Sequence, residues 1–409
     1  TAYDDEKVLA IKPSDGSGDF QFSRSSSATR VNAQGLVEDV QILSSNLVQN
    51  GDFSQIGSEE VTNGNFSQEG SELVTNGDFA TDSDWTITNN VGSSTNISGG
   101  SLNIITDGAY TEARQLSVLT SGKSYVVDYT ITSNSAVGNL AIVGGGSTIF
   151  NVPSTVGTHS AYFEANGTTF AFKRGGGSVN VSIDNVSVKE VGQDWTLGTG
   201  WSIGDDKAER ISTGTYTNVT QGGILTSGKS YKVTYTVNSG SIGGVRVQLG
   251  GTYTGDYNGV GTHTVYGVSG TTGFNNFNLI GEPTFNGSIT NISVKEVGQN
   301  WSLNSGWSIG DGVAVAEAGV ATKLVQSNTF NGKNVKVTLT ISDYGGSGVA
   351  IVDFGSTSGG SIGANGTYTF YGQYDINNFE LYKSATFNGS ITNISILEIT
   401  DDTNLPRIN

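Results

Sequence analysis

The sequence predicts an all-β chain, an N-terminal extended arm followed by three tandem β-sandwich domains. Three observations carry this: apolar and polar residues alternate, Gly and Asn turns punctuate the runs, and whole segments recur at domain-sized intervals. The alternation is explicit at Tyr231, Val233, Tyr235 and Val237, interleaved with Lys232, Thr234 and Thr236. It returns at Tyr125, Val127, Tyr129 and Ile131, and again at Val335, Val337, Leu339 and Ile341. A period of two sets one row against a core and the other in water. Turn signals such as Ser121-Gly122, Asn286-Gly287, Asn331-Gly332 and Asn388-Gly389 separate the runs.

Repeats set the domain boundaries. Leu119-Thr120-Ser121-Gly122-Lys123-Ser124-Tyr125 recurs as Leu225 to Tyr231, and Ser187 to Gln193 recurs as Ser293 to Gln299, both shifted by 106. Thr284 to Ser293 returns intact as Thr386 to Ser395. Trp195…Trp201 with Ser202-Ile203-Gly204-Asp205 reappears as Trp301…Trp307 with Ser308-Ile309-Gly310-Asp311, and Phe79…Trp85 keeps the spacing in the first unit. Sandwiches are therefore expected at 74–191, 192–297 and 298–409, the last including a C-terminal tail. Each is near the ~100 residues of an independently folding sandwich.

Residues 1–73 are expected to form an arm and linker. They contain a short repeat of period 13: Asn50-Gly51-Asp52-Phe53, Asn63-Gly64-Asn65-Phe66 and Asn76-Gly77-Asp78-Phe79. Only the third copy leads directly into a domain. The first two read as duplicated domain starts serving as a linker, or as short turns packed on a neighbour.

Composition narrows the function. The formal charge is −17, charged residues are 14%, and no Lys/Arg run occurs. A nucleic-acid binder needs a basic stripe and an anionic membrane attracts one, so neither partner is expected. Cysteine is absent, which leaves neither disulfides nor thiolate metal sites. The acidic Thr1-Ala2-Tyr3-Asp4-Asp5-Glu6-Lys7 lacks the basic-then-apolar order of a signal peptide, and no apolar run is long enough to span a bilayer. The expectation is a soluble protein made in the cytoplasm.

Two resemblances add to this reading. The unit running Asn76-Gly77-Asp78-Phe79…Trp85, Ser121-Gly122-Lys123-Ser124-Tyr125 and Ile183-Asp184-Asn185-Val186-Ser187-Val188 resembles jelly-roll carbohydrate-binding modules of the galactose-binding-like superfamily. Pro13-Ser14-Asp15-Gly16-Ser17-Gly18-Asp19-Phe20…Ser23-Arg24 through Glu38 is similar to the opening of bacteriophage structural and tail-appendage proteins, especially of marine phages. Together they imply jelly-roll sandwiches carried on a virion. The terminal Asn404-Leu405-Pro406-Arg407-Ile408-Asn409 resembles a stretch that precedes further sequence in such proteins.

Several residues are candidates for sites. Tyr253 and Tyr257, in Gly250 to Tyr257, have Gly-rich flanks that read as a loop tip, where rings could stack on a pyranose or serve protein contacts. Trp85, Trp201 and Trp307 read as equivalent positions and suit a shared core role better than sugar platforms. Phe20, Phe22, Arg24 and Arg30 are candidate anchors to other virion proteins, with solvation the alternative for the arginines. In related jelly-rolls a structural calcium often sits near the domain start and last strand. By that resemblance Asp78 and Asp184 could share one in the first sandwich, turn capping being the alternative. His159 and His263, each in Val-Gly-Thr-His, read as ordinary strand residues. No acidic pair recurs in all three units, so no catalytic residue is assigned and no enzyme is expected.

The function expected is thus a non-enzymatic bacteriophage virion protein: a fibre, tail appendage or capsid decoration, anchored by its arm, binding other virion proteins and a host-surface polysaccharide. A homo-oligomer is expected, trimers being common among phage fibres, although no coiled-coil heptad marks one. The alternative is a glycan-binding adhesin, an array of carbohydrate-binding modules.

Overall fold

The computed structural model describes residues 42–400, apart from 136, 137, 240 and 271–273, together with short strands at Ala2–Asp4, Lys7–Leu9, Ala28–Val31 and Val37–Val40. The described residues are all-β and contain no helix, so no helix is long and apolar enough to cross a membrane. The chain divides into two compact units, Ile56–Val297 with two sandwiches and Thr1–Gln55 plus Gly298–Asn409 with one.

All three sandwiches share one antiparallel strand order. In the first, one sheet runs Gly157–Glu164, Ser124–Asn134, Val179–Val191, Ser101–Thr106 and Asn96–Ser98. The facing sheet runs Thr148–Asn151, Asn139–Gly144, Phe170–Gly176, Thr111–Gln115 and Thr86–Asn89. The alternation read from the sequence does the burying: Tyr125, Val127, Tyr129 and Ile131 face Leu140, Ile142, Phe170 and Phe172 inside the first core. Tyr231, Val233, Tyr235 and Val237 do the same against Val245, Val247, Phe277 and Leu279 in the second.

Each first sheet has a sixth strand, and it comes from the segment preceding residue 73. Glu69–Glu72 pairs with Val179–Val191 of the first sandwich, Ile56–Glu59 with Gly287–Val297 of the second, and Ile42–Asn46 with Gly389–Thr400 of the third. Residues 42–72, assigned from the sequence to an arm and linker, are thus built into the sheets. The three Asn-Gly-Asx-Phe turns are clasps, one per sandwich, arranged in reverse order along the chain.

The clasps share their chemistry. Within the first sandwich, Val186 N donates to Gly77 O (2.8 Å), Trp85 Nε1 to Asn76 O (3.2 Å), and the buried Gln115 bonds both ways with the Thr75 backbone. In the second, Ile292 N donates to Gly64 O (2.8 Å), Trp195 Nε1 to Asn63 O (3.0 Å), and Gln221 brackets Thr62. In the third, Ile394 N donates to Gly51 O (2.9 Å), Trp301 Nε1 to Asn50 O (3.0 Å), and Gln326 brackets Gln49. The rings meet as Phe79–Trp85, Phe66–Trp195 and Phe53–Trp301, with centroids 5.1–5.4 Å apart. Trp85 is therefore equivalent to Trp195 and Trp301, which corrects its alignment with Trp201 and Trp307. Those two are buried on the strands Trp201–Gly204 and Trp307–Gly310, away from any clasp. The misalignment arose because Phe79 belongs to the clasp and only mimics the spacing of a domain-internal tryptophan.

The glycine of each clasp is obligatory by contact: a Cβ on Gly51, Gly64 or Gly77 would lie 1.9–2.0 Å from a carbonyl oxygen of the bulged central strand. Asn and Phe of each turn hold φ between 48° and 60°, a left-handed conformation that Asn tolerates and that packing imposes on Phe.

Two predictions follow from this packing. Gly64→Ala should lower the unfolding free energy by about 2–3 kcal/mol through overpacking, read from denaturant unfolding. Tyr129 is 1% exposed, burial pushes its phenol up to about 12, and its hydroxyl has no hydrogen-bond partner among the described residues. Because the folded value exceeds the unfolded 10.0, its contribution is intact below pH 10 and is lost as pH rises through 12, by an amount on the order of 2–3 kcal/mol. Tyr129→Phe should flatten that alkaline loss and leave stability at pH 7 equal or higher, measured as Tm against pH.

Candidate ligand-binding face

The clasps recur in all three sandwiches, whereas the outer face of the five-stranded sheet differs among them. On the other outer face, cross-strand threonine pairs recur in all three sandwiches: Thr130–Thr158, Thr236–Thr262 and Thr340–Thr367, at 3.2, 3.0 and 3.0 Å. The register identifies equivalent outward positions on the five-stranded sheets. Where the first sandwich has Glu112, Arg114, Ala141 and Lys173, the second has Asn218, Thr220, Arg246 and Ile280, and the third has Lys323, Val325, Ile351 and Tyr382. This face carries a different chemistry on each copy of one scaffold.

In the first sandwich the face is charged and internally paired. Tyr110 donates to Glu112 (2.9 Å), Arg114 lies 3.5 Å from the same carboxylate, and Lys173 sits over the Tyr110 ring. In the third, Lys323 is held by Asp353 (3.1 Å) and Glu380.

The second sandwich presents a neutral amide row beside an aromatic cluster. Asn218 Nδ2 and Thr220 Oγ1 donate to Asn278 Oδ1 (3.0 and 2.6 Å), and Asn278 Nδ2 donates to Gln248 Oε1 (2.9 Å). Next to this row the Arg246 guanidinium lies 4.8 Å from the Tyr253 ring centre and 5.8 Å from that of Tyr257, and Tyr216 stands 6.0 Å from Tyr257. Tyr253 and Tyr216 are 53% and 60% exposed. Arg246 Nε is enclosed and lacks a hydrogen-bond partner among the described residues. Burial chiefly raises the Tyr257 phenol, with Tyr216 adding to it and Arg246 opposing. On the same face Glu282 accepts from the Gly244 amide (2.8 Å). Exposed rings, planar amides and a stacked guanidinium can together offer apolar faces and directional hydrogen bonds to a polyhydroxyl ligand.

The structure places Tyr253 and Tyr257 on the edge strand Thr252–Asn258, which replaces the loop tip expected from their Gly-rich flanks. Arg246 and Tyr216 were not singled out in the sequence. Only the sheet register brings them to these tyrosines.

The other candidates make local contacts. Asp78 accepts from Ala80 N (3.3 Å) and Asp184 from Asn185 N (2.7 Å), each a local turn contact, and no group of three or more His or acidic residues converges among the described residues. His159 and His263 bond the carbonyls of Thr155 and Gly259 four residues back (2.7 and 2.8 Å). Tyr368 takes that role in the third sandwich through Ala364 O (2.9 Å). Phe20, Phe22 and Arg24 lie outside the described residues, and of Arg30 only its backbone, in the strand Ala28–Val31, is described.

No family model matches the chain, and no curated protein matches it. Among solved structures it is similar to the tandem CBM22 domains of Xyn10C from Paenibacillus barcinonensis: 11% identity, 56% of this chain and 98% of that one, TM-score 0.23. It is also similar to a protein described with the triple jelly-roll fold and turret assembly of an archaeal virus: 12% identity, 77% of this chain and 89% of that one, TM-score 0.19. A third is allantoicase from Saccharomyces cerevisiae: 12% identity, 47% and 80% covered, TM-score 0.21. Scores of this size carry no functional inference.

Proposed function

We propose that the chain is a non-enzymatic display and attachment protein of a bacteriophage particle, fixed through its N-terminal arm and presenting its sandwiches to the surroundings. The observation that supports this most is where the described body begins and ends. Leu43 pairs with Ile399 and Ile42 with Thr400, so the chain enters and leaves on neighbouring strands of the third sandwich. The first and second sandwiches are inserted between the N-terminal strand of the third and its body, from residue 56 to 297. That connectivity suits a base that is fixed and modules that are displayed. The arm partners would be other virion proteins, and assembly in several copies is part of the reading.

The face on the second sandwich favours a more specific role within this frame, attachment to a surface polysaccharide through Tyr216, Arg246, Tyr253 and Tyr257. On an array of bacterial surface polysaccharides the full chain should bind, and Tyr253→Ala should weaken binding about five- to tenfold, the size of a modest hot-spot loss. Equal binding by the variant would remove the face from the account. For the virion role, mass spectrometry of purified particles should find the chain, and cryo-EM should show residues 1–41 ordered against a neighbouring protein. Absence from particles, with glycan binding intact, would leave the free adhesin as the better description.

A further inference from the structure

We propose that the nested clasps impose a folding order, first sandwich, then second, then third, with each completed sandwich delivering the next clasp to its acceptor. The clasp-to-acceptor separations along the chain differ widely: 40 residues for Thr75–Gln115, 159 for Thr62–Gln221 and 277 for Gln49–Gln326. Closing a flexible loop becomes less probable as it lengthens. Taken alone, the third clasp would search a 277-residue loop for a site it must distinguish from two others bearing the same Gln, Trp and bulged strand.

The register removes that search. In the folded first sandwich Glu69 pairs with Val191, and their covalent neighbours are Gln68, the end of the second clasp, and Gly192, the start of the second body. Folding the first sandwich thus places the second clasp beside the chain it must join and replaces a 159-residue closure with a local one. The move then repeats: Ile56 pairs with Val297 in the second sandwich, and their neighbours are Gln55 of the third clasp and Gly298 of the third body. Folding in the reverse direction lacks this help, because the third sandwich would have to close its loop over 242 unfolded residues (56 to 297). The order also matches synthesis, since the first body is complete before the second emerges.

The device also solves a recognition problem. Three clasps with one consensus, Val-(Thr/Gln)-Asn-Gly-(Asp/Asn)-Phe, could dock in the wrong body. Delivery by position needs no difference among the clasps, consistent with their near-identity.

Pulse-labelling hydrogen exchange on the refolding full chain tests this. Amides of Val179–Val191 should gain protection before those of Gly287–Val297, and those before Gly389–Thr400. Simultaneous protection, or the third sandwich first, would overturn the proposal. Perturbation should be asymmetric as well. Gly77→Val, which sets side-chain atoms against Val186 O, should slow protection of the second and third sandwiches on the order of tenfold or more. Gly51→Val, which makes the same clash against Ile394 O, should slow only the third. If Gly77→Val leaves the second and third at wild-type rates, or Gly51→Val slows the first, the order is not imposed by the clasps.

Discussion

The structure depends on one contact made three times: a glycine backbone pressed against the bulge of a central strand. At that bulge Asn185, Asn291 and Asn393 turn left-handed, with φ of 51–53°, which frees the following amide to reach the clasp carbonyl. The buried glutamine brackets the residue before the clasp asparagine and the indole N–H reaches the asparagine carbonyl, so much of the backbone of a turn that would be costly to bury is hydrogen-bonded. Around this fixed element the aromatic pair and the clasp valines, Val48, Val61 and Val74, close the end of each core. Every sandwich is therefore a two-part object, and its parts can be far apart in the chain.

A constant frame leaves certain surfaces free to change. The buried cation that pins one loop shows how even the interior was re-solved between copies. Arg210 bonds the carbonyls of Thr215, Glu282 and Phe285 in the second sandwich, opposite Gly281. In the third, Lys383 reaches the carbonyls of Glu317 and Val320 from the strand equivalent to that of Gly281, opposite Ala316. Desolvation by burial lowers the Lys383 ammonium pKa, with Glu317 opposing it. The outer face of the five-stranded sheet also differs between copies, and in the second sandwich it carries amides, tyrosines and one arginine.

Much of this was legible in the sequence. The alternation at Tyr231 to Val237 fixed the strands and their inward face, and the 106-residue repeats fixed the number of sandwiches. The clasps were visible as a period of 13, and docking on a neighbour was one of two readings. What sequence spacing does not carry is which neighbour. Asn46 accepts from Ile396 N, 350 residues away, and Phe53 packs on Trp301, through pairings that no local pattern encodes. The proposed face was half legible for the same reason. Tyr253 and Tyr257 stand out in a Gly-rich stretch, whereas Tyr216 and Arg246 reach them only across sheet register. The arm candidates rest on the sequence resemblance alone.

The nested connectivity is tested most directly by a disulfide in this cysteine-free chain. Leu43 and Ile399 are register partners across the first and last strands of the third sandwich. Leu43→Cys combined with Ile399→Cys should oxidise within one chain to a loop-closed monomer, seen as a faster band on a non-reducing gel. Leu43→Cys combined with Val297→Cys, the position equivalent to Ile399 in the second sandwich, should not. Closure in the second pair, or failure in the first, would contradict the assignment of the N-terminal strand to the third sandwich and with it the nested account.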